Sequence, residues 1–113
     1  MNSRETRPWG WFETIEVGAN YKIKKLFVKN ACRISLQSHE HRDEHWVIVT
    51  GSGVVELNGI DYPIKTGEYI FIPKGSKHRI CAYENENVEL VEVQMGICDE
   101  DDIKRYQDDY GRI

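Results

Sequence analysis

Two stretches of this chain concentrate side chains that bind metal ions. The first runs Gln37-Ser-His39-Glu-His41-Arg-Asp-Glu44-His45-Trp46, and thirty-odd residues later the second runs Pro73-Lys-Gly75-Ser-Lys-His78. Gln37, His39, Glu44 and His78 offer a neutral amide oxygen, two imidazoles and a carboxylate. That mixed donor set suits zinc or another first-row divalent ion better than calcium, which takes oxygen ligands alone. Neither stretch supplies all four ligands, so the fold has to bring them together.

The elements available for that task are set by length and composition. With 113 residues, of which 40% are hydrophobic, the chain fits one globular domain able to bury a core without a disulfide staple. No apolar run approaches the roughly 20 residues a membrane span needs. The first residues carry charge without an apolar segment, which gives no sign of export and leads to the expectation of a cytoplasmic protein. Cys32, Cys81 and Cys98 form no CxxC pair, and an odd count argues for reduced thiols over a disulfide frame or a Cys-based zinc site. The net charge of -4, with acids and bases interspersed, lacks the basic stripe that nucleic-acid binding requires.

Short alternating segments recur along the chain. Tyr21 to Val28, Arg33 to His39, His45 to Thr50, Gly53 to Leu57, Glu68 to Ile72, Lys77 to Cys81 and Val88 to Gln94 all read as strands. Glycine, asparagine or proline separates them, and Asn58-Gly59 between apolar flanks is the strongest hairpin signal. Trp9, Trp11 and Phe12 form an aromatic cluster ahead of the first regular strand, of a kind that packs on a sheet or crosses to a partner. The tail Asp99-Glu-Asp-Asp-Ile-Lys-Arg-Tyr106, with acids first and bases last, reads as a short helix. Seven or more strands at this spacing indicate an all-β sandwich or barrel.

Strand parity says what the motif residues face. Arg33, Ser35, Gln37 and His39 share one side of their strand, and Ile34 and Leu36 share the other. Glu44, Trp46 and Ile48 point together, with His45, Val47 and Val49 opposite. A polar strand face usually meets water. In a small barrel it can instead line the lumen, where a ligand, metal or water must satisfy it.

Gln37-x-His39-x4-Glu44-x6-Gly51 and Gly67-x5-Pro73-x-Gly75-x2-His78, with 15 residues between the two glycines that bound the gap, resemble the two motifs of the cupin fold. More closely, Arg7-Pro-Trp-Gly10, Ser35 to Trp46, Ile72 to Arg79, Glu92 to Gly96 and Asp101 to Arg112 are similar to the C-terminal domain of type II mannose-6-phosphate isomerases. The resemblance implies a single cupin domain over 1–113, a double-stranded β-helix or jelly-roll barrel. Its arm would span about 1–20, its barrel 21–96 and its tail, with the short helix, 97–113. In that family the domain is usually fused behind a pyrophosphorylase domain, so this chain would be a standalone isomerase-type cupin. Departures from the general cupin pattern are Ala31 for a glycine, Gln37 for the first histidine and Ala82 for an asparagine. The resembling isomerases also carry Gln-x-His, which favours a zinc Lewis acid over an iron dioxygenase. Cobalt, manganese, nickel and iron remain alternatives to zinc, and a shifted set of His39, His41 and Glu44 is a second ligand register.

The implied reaction interconverts mannose 6-phosphate and fructose 6-phosphate, moving a proton between C1 and C2 through an enediolate. A divalent ion stabilises the developing oxyanion, and a proton carrier with a pKa near neutrality completes the chemistry. His41 and Glu92 are the candidates for that carrier. Arg33, Arg42, Lys74, Lys77 and Arg79 are candidates to bind the phosphate. A homodimer is expected, and so is possible association with a separate guanylyltransferase. The competing readings are another metal cupin enzyme, such as an oxygenase or a sugar-modifying enzyme, and a non-catalytic carbohydrate-binding module.

Overall fold

Alternating patterns broken every few residues by turn formers commit the chain to short antiparallel strands. A computed structural model describes residues 3–113 as eleven strands, with no helix among them. One sheet joins β1 (Arg4–Arg7), β2 (Gly10–Val17), β3 (Tyr21–Val28), β10 (Val88–Gly96), β5 (Arg42–Thr50) and β8 (Tyr69–Ile72), in that lateral order. The second joins β11 (Lys104–Gln107), β4 (Leu36–Ser38), β9 (His78–Ala82), β6 (Ser52–Leu57) and β7 (Ile60–Lys65). Every pairing is antiparallel. Between the sheets lies one core in which Val28, Trp46, Ile48, Val55, Ile80 and Leu90 are at most 1% exposed. Each such aliphatic side chain contributes about 1.5–3 kcal/mol through burial. Among the described residues, no helix is long and apolar enough to cross a membrane.

The parity expected for β5 holds, with Glu44, Trp46 and Ile48 buried, and in β10 the side chains of Leu90, Glu92 and Gln94 are buried in the same alternation. Asn58 and Gly59 form the expected hairpin turn between β6 and β7, both at positive φ (50° and 82°), with Leu57 opposite Ile60. The N-terminal arm is itself a hairpin, β1–β2, that extends the six-stranded sheet, with Trp11 stacked on Phe27 across the β2–β3 pair.

The expected C-terminal helix is a correction. Asp99–Asp102 form a turn closed by the Asp102 N–H to the Asp99 carbonyl (3.1 Å), and Lys104–Gln107 then pair with β4 as an edge strand. Acidic residues that would suit a helix N-terminus here serve as local acceptors, since Asp99 Oδ1 takes the Asp101 N–H (2.9 Å). Strand pairing to β4 outweighs a helical tendency spread over so few residues.

Two turns fix the motif spacing. Gly51 sits at φ 90°, and a Cβ there would lie 2.0 Å from the Asn87 carbonyl oxygen, so only glycine fits. Gly75, at φ 81°, ends a turn whose N–H donates to the His39 carbonyl (2.7 Å), while the Lys74 N–H donates to Asp43 Oδ1 (2.8 Å). The Pro73–Gly75 turn is thereby fastened to the first motif, just before β9 presents His78.

A buried candidate metal centre and its cavity

His39 follows β4, Glu44 lies on β5 and His78 opens β9, so three separate elements deliver the ligands. One ligand atom from each falls within 4.8 Å of the others. Glu44 Oε2 is 3.3 Å from His39 Nε2 and Glu44 Oε1 is 3.7 Å from His78 Nε2, with all three residues no more than 3% exposed. Gln37 stands opposite His78 in the β4–β9 pair and, like His39, fronts the adjoining cavity; its Oε1 accepts from Ser35 Oγ (2.8 Å).

Both imidazoles are held in the tautomer a metal needs. His39 Nδ1 lies 2.7 Å from the Asp102 carbonyl and His78 Nδ1 lies 3.0 Å from the Ser76 carbonyl. A carbonyl can only accept, so each Nδ1 carries the proton and each Nε2 turns a lone pair inward. Burial lowers the pKa of both rings, His39 to about 4 with the Arg42 guanidinium adding to the effect. They are therefore neutral at pH 7, as ligation requires. His78 Nε2 is buried without a hydrogen-bond partner, an expensive orphan that a cation would satisfy. On that observation and the donor set, the residues present fit a divalent ion.

A layer of acids and amides surrounds the ligands. Trp46 Nε1 donates to Glu44 Oε1 (3.0 Å) and Glu92 Oε2 (3.1 Å), and Gln94 Nε2 donates to Glu92 Oε1 (2.6 Å). Burial pushes the Glu92 pKa up to about 8, and the neighbouring Glu44 carboxylate pushes the same way. Arg42 Nε donates to Glu44 Oε2 (2.9 Å), and its Nη2 lies 3.2 Å from His39 Nε2.

A cavity of about 300 Å³ opens onto this layer, within the range of small-molecule sites. Gln37, His39, Arg42, Glu92 and Gln94 form its inner wall, and Trp9, Phe12 and Leu26 a hydrophobic side. Glu44 and His78 do not front it and stand behind His39, which both contact. Arg7, Lys24, Arg105 and Arg112 line it as well. Arg7 pairs with Glu5, Lys24 with Glu100 and Arg112 with Asp108. Among the described residues Arg105 has no carboxylate partner, and its buried Nε lacks an acceptor. Burial holds its pKa below the ordinary arginine value, and the charges of Arg112 and Arg7 add to this.

The remaining expected site residues fall elsewhere. His41 is exposed, its side chain 3.9 Å from Glu40, so of the two candidate proton carriers only Glu92 lies in the cavity. Arg33 forms a bidentate pair with Asp109 (2.8 Å to each oxygen) away from the cavity, because the regular strand begins at Leu36 and parity does not extend back to residue 33. Arg79 is fully buried, donating to the Ile34 carbonyl (3.1 Å) and to Gln107 Oε1 (3.2 Å), where it holds the tail to the barrel. Lys74 and Lys77 are exposed, and Lys77 lies over the Tyr106 ring at 4.3 Å. Only Arg42 of the expected phosphate cations faces the cavity. Arg7, Arg105 and Arg112 escaped the sequence reading because they converge only when both ends of the chain fold back over the barrel. For two of them the one signal was Arg105 and Arg112 set in a tail rich in acids, and Arg7 offered none.

Comparison with known proteins gives the family and the fold. The family described as mannose-6-phosphate isomerase C-terminal matches residues 1–108. The chain is 38% identical over 114 residues to the mannose-1-phosphate guanylyltransferase ManC of Salmonella typhimurium, covering 100% of this chain and 24% of that protein. It is 37% identical to the alginate biosynthesis protein AlgA of Pseudomonas aeruginosa, covering 94% of this chain and 22% of that protein. The chain thus spans about a quarter of the length of these relatives. Among solved structures, the capsular polysaccharide assembling protein CapF of Staphylococcus aureus superposes with a TM-score of 0.83 at 17% identity, over 95% of this chain and 34% of that one. A cupin-2 domain protein of Rhodospirillum rubrum superposes with a TM-score of 0.76 at 15% identity, over 86% of this chain and 65% of that one.

Proposed function

This chain belongs to the mannose-6-phosphate isomerase C-terminal family, and from that premise we propose that it is a metal-dependent aldose-ketose isomerase interconverting mannose 6-phosphate and fructose 6-phosphate. The observation that carries the reading is the joining of two features in one cavity. His39, neutral and fixed in its tautomer, stands on its inner wall with Glu44 and His78 directly behind, and the unpartnered Arg105 stands in the wall as well.

His39, Glu44 and His78, with Gln37 as the fourth donor, would hold the ion. A bound divalent ion, zinc by its donor set, supplies Lewis-acid stabilisation of charge on the sugar oxygens. The chain's own groups do the rest. Arg105, flanked by Arg7 and Arg112, takes the substrate phosphate and offers planar donors matched to its oxygens. Glu92 carries the proton between C1 and C2, its full burial favouring the protonated carboxyl and so a pKa above the ordinary carboxylate range. Trp46 and Gln94 orient that carboxyl, leaving it no freedom to swing away. The apolar wall of Trp9, Phe12 and Leu26 excludes water from the reacting carbons.

The activity would feed GDP-mannose and polysaccharide synthesis in the cytoplasm, alongside a guanylyltransferase, in keeping with relatives named as a mannose-1-phosphate guanylyltransferase and an alginate biosynthesis protein. A homodimer is part of the same reading. Val47, Val49, Tyr69, Phe71 and Met95 leave an apolar stripe on the outer face of the six-stranded sheet, each 42% to 55% exposed, which a second copy would cover. Sedimentation should then report twice the chain mass.

The test is a coupled assay of fructose 6-phosphate formation on metal-stripped protein, with and without zinc, cobalt or manganese. Turnover restored by an added ion is expected. Metal binding without turnover on any ion would overturn the isomerase reading.

A further inference from the structure

The two candidate imidazole ligands are oriented by different kinds of partner. His78 Nδ1 is held from its own turn, by the Ser76 carbonyl two residues away (3.0 Å). His39 Nδ1 is held by the Asp102 carbonyl (2.7 Å), 63 residues distant in the C-terminal segment. The Asp102 side chain secures that contact, because its Oδ1 accepts the Glu40 N–H (3.0 Å) and its Oδ2 the His41 N–H (2.9 Å). One residue thus grips the backbone just after His39 with its carboxylate and the ring of His39 with its carbonyl.

The segment around Asp102 is fastened at several further points. Arg42 Nη1 donates to the Asp99 carbonyl (3.2 Å), the Ile97 N–H donates to the His41 carbonyl (3.0 Å), and Tyr106 Oη lies 2.9 Å from Ser38 Oγ. In the β11–β4 pair, Arg105 stands opposite Gln37. The same segment also places Ile103 and Arg105 on the cavity wall. Docking of residues 97–107 therefore completes both the pose of one ligand and the surface that meets the substrate.

We propose that Asp102 is a positioning residue that sets the tautomer and pose of His39, so that metal affinity and docking of the C-terminal segment are thermodynamically coupled. The proposal rests on the metal-centre reading given above. Coupling is reciprocal: whatever the docked segment adds to metal affinity, the bound metal adds to docking. Partners that orient a metal-binding histidine typically contribute roughly 10- to 100-fold in affinity, which sets the size of the expected effect.

The experiment measures Zn²⁺ affinity by competition with a chromophoric chelator on the full chain, together with the visible spectrum of the Co²⁺ form. Asp102→Ala should lose roughly 10- to 100-fold in affinity and shift the cobalt bands, while Asp102→Asn, which keeps one acceptor for the loop, recovers part of the loss. Tyr106→Phe removes a different tether of the same segment and should stay within about twofold, the scatter of a contact that does not orient a ligand. Circular dichroism confirms that each variant is folded. Wild-type affinity retained in Asp102→Ala would overturn this proposal, as would equal losses in Asp102→Ala and Tyr106→Phe, which would make the effect general loosening of the segment. A wild-type protein that takes up neither ion would instead overturn the metal centre itself.

Discussion

Arg105 allows a prediction with two opposite signs. Its Nε is buried with no acceptor, no carboxylate forms an ion pair with it among the described residues, and Arg112 and Arg7 raise the cost of its charge while the more distant Asp108 lowers it. An arginine kept in that position destabilises the free protein and is repaid only when an anion arrives. Replacing it by glutamine should therefore leave the unliganded protein as stable as before or slightly more stable, by up to about 1 kcal/mol, the scale of a half-exposed charge interaction. Ligand binding should move the other way. Hydrogen bonds to charged groups are worth about 1.5–3 kcal/mol, which at 1.4 kcal/mol per decade is roughly 10- to 150-fold weaker binding of a sugar phosphate. Calorimetric titration with mannose 6-phosphate, beside urea unfolding of the free protein, reads both signs on one pair of proteins. Unphosphorylated mannose serves as the control, since its affinity should be the same for both. An Arg105→Gln protein that binds the sugar phosphate within twofold of wild type, or that loses equal affinity for both sugars, would refute the assignment of this arginine to the phosphate.

Other expectations follow from the same geometry. His39→Ala or His78→Ala should each release the ion and lower the melting temperature of the metal-loaded protein, because a bound ion stabilises only the folded state; equal metal content by elemental analysis in wild type and both variants would contradict the centre. Glu92 has a folded pKa of about 8 against an ordinary 4.5, so in metal-free protein its contribution is fully present below pH 4.5 and lost as pH rises through 8. The stability of Glu92→Gln relative to wild type should accordingly grow across that window, by roughly 3–5 kcal/mol at most, and a flat difference between the two urea-unfolding curves would count against the buried acid. The same variant should abolish turnover while keeping sugar-phosphate binding. Ala31 holds a left-handed φ of 61° on an exposed turn, so Ala31→Gly should gain about 0.5–1 kcal/mol in denaturant unfolding.

How much of this was legible in the residues depends on what fixed each element. The β6–β7 hairpin was readable because Asn58-Gly59 dictates both turn type and register. The inward aim of Glu44 was readable because β5 is a long strand inside the sheet, where the alternation of two holds without interruption, whereas alternation in β10 grouped Glu92 with Leu90 and Gln94 without deciding which face they took. Arg33 misled because only three residues of its segment are regular strand, and a period needs pairing partners to sustain it. The tail misled for a different reason. Asp99 and Asp102 have the chemistry of a helix N-terminus, yet their acceptors are taken up by a local turn and by the loop at 40–41, contacts visible only in three dimensions. The arginines of the cavity belong to the same class, since nothing local in Arg7 or Arg105 announces that both face one space.

Trp46 also makes the protein its own optical probe. Its indole is fully removed from water, sits edge-on to His78 with ring centroids 5.6 Å apart, and donates to both Glu44 and Glu92. An excited indole is quenched by a nearby protonated imidazole or a paramagnetic ion, and its emission colour follows the charge around it. Occupancy of the centre and the protonation of Glu92 are therefore written into the intrinsic fluorescence, without any label attached. Trp9 and Trp11 lie in the N-terminal hairpin, and replacing both by phenylalanine would leave a single emitter at the heart of the site.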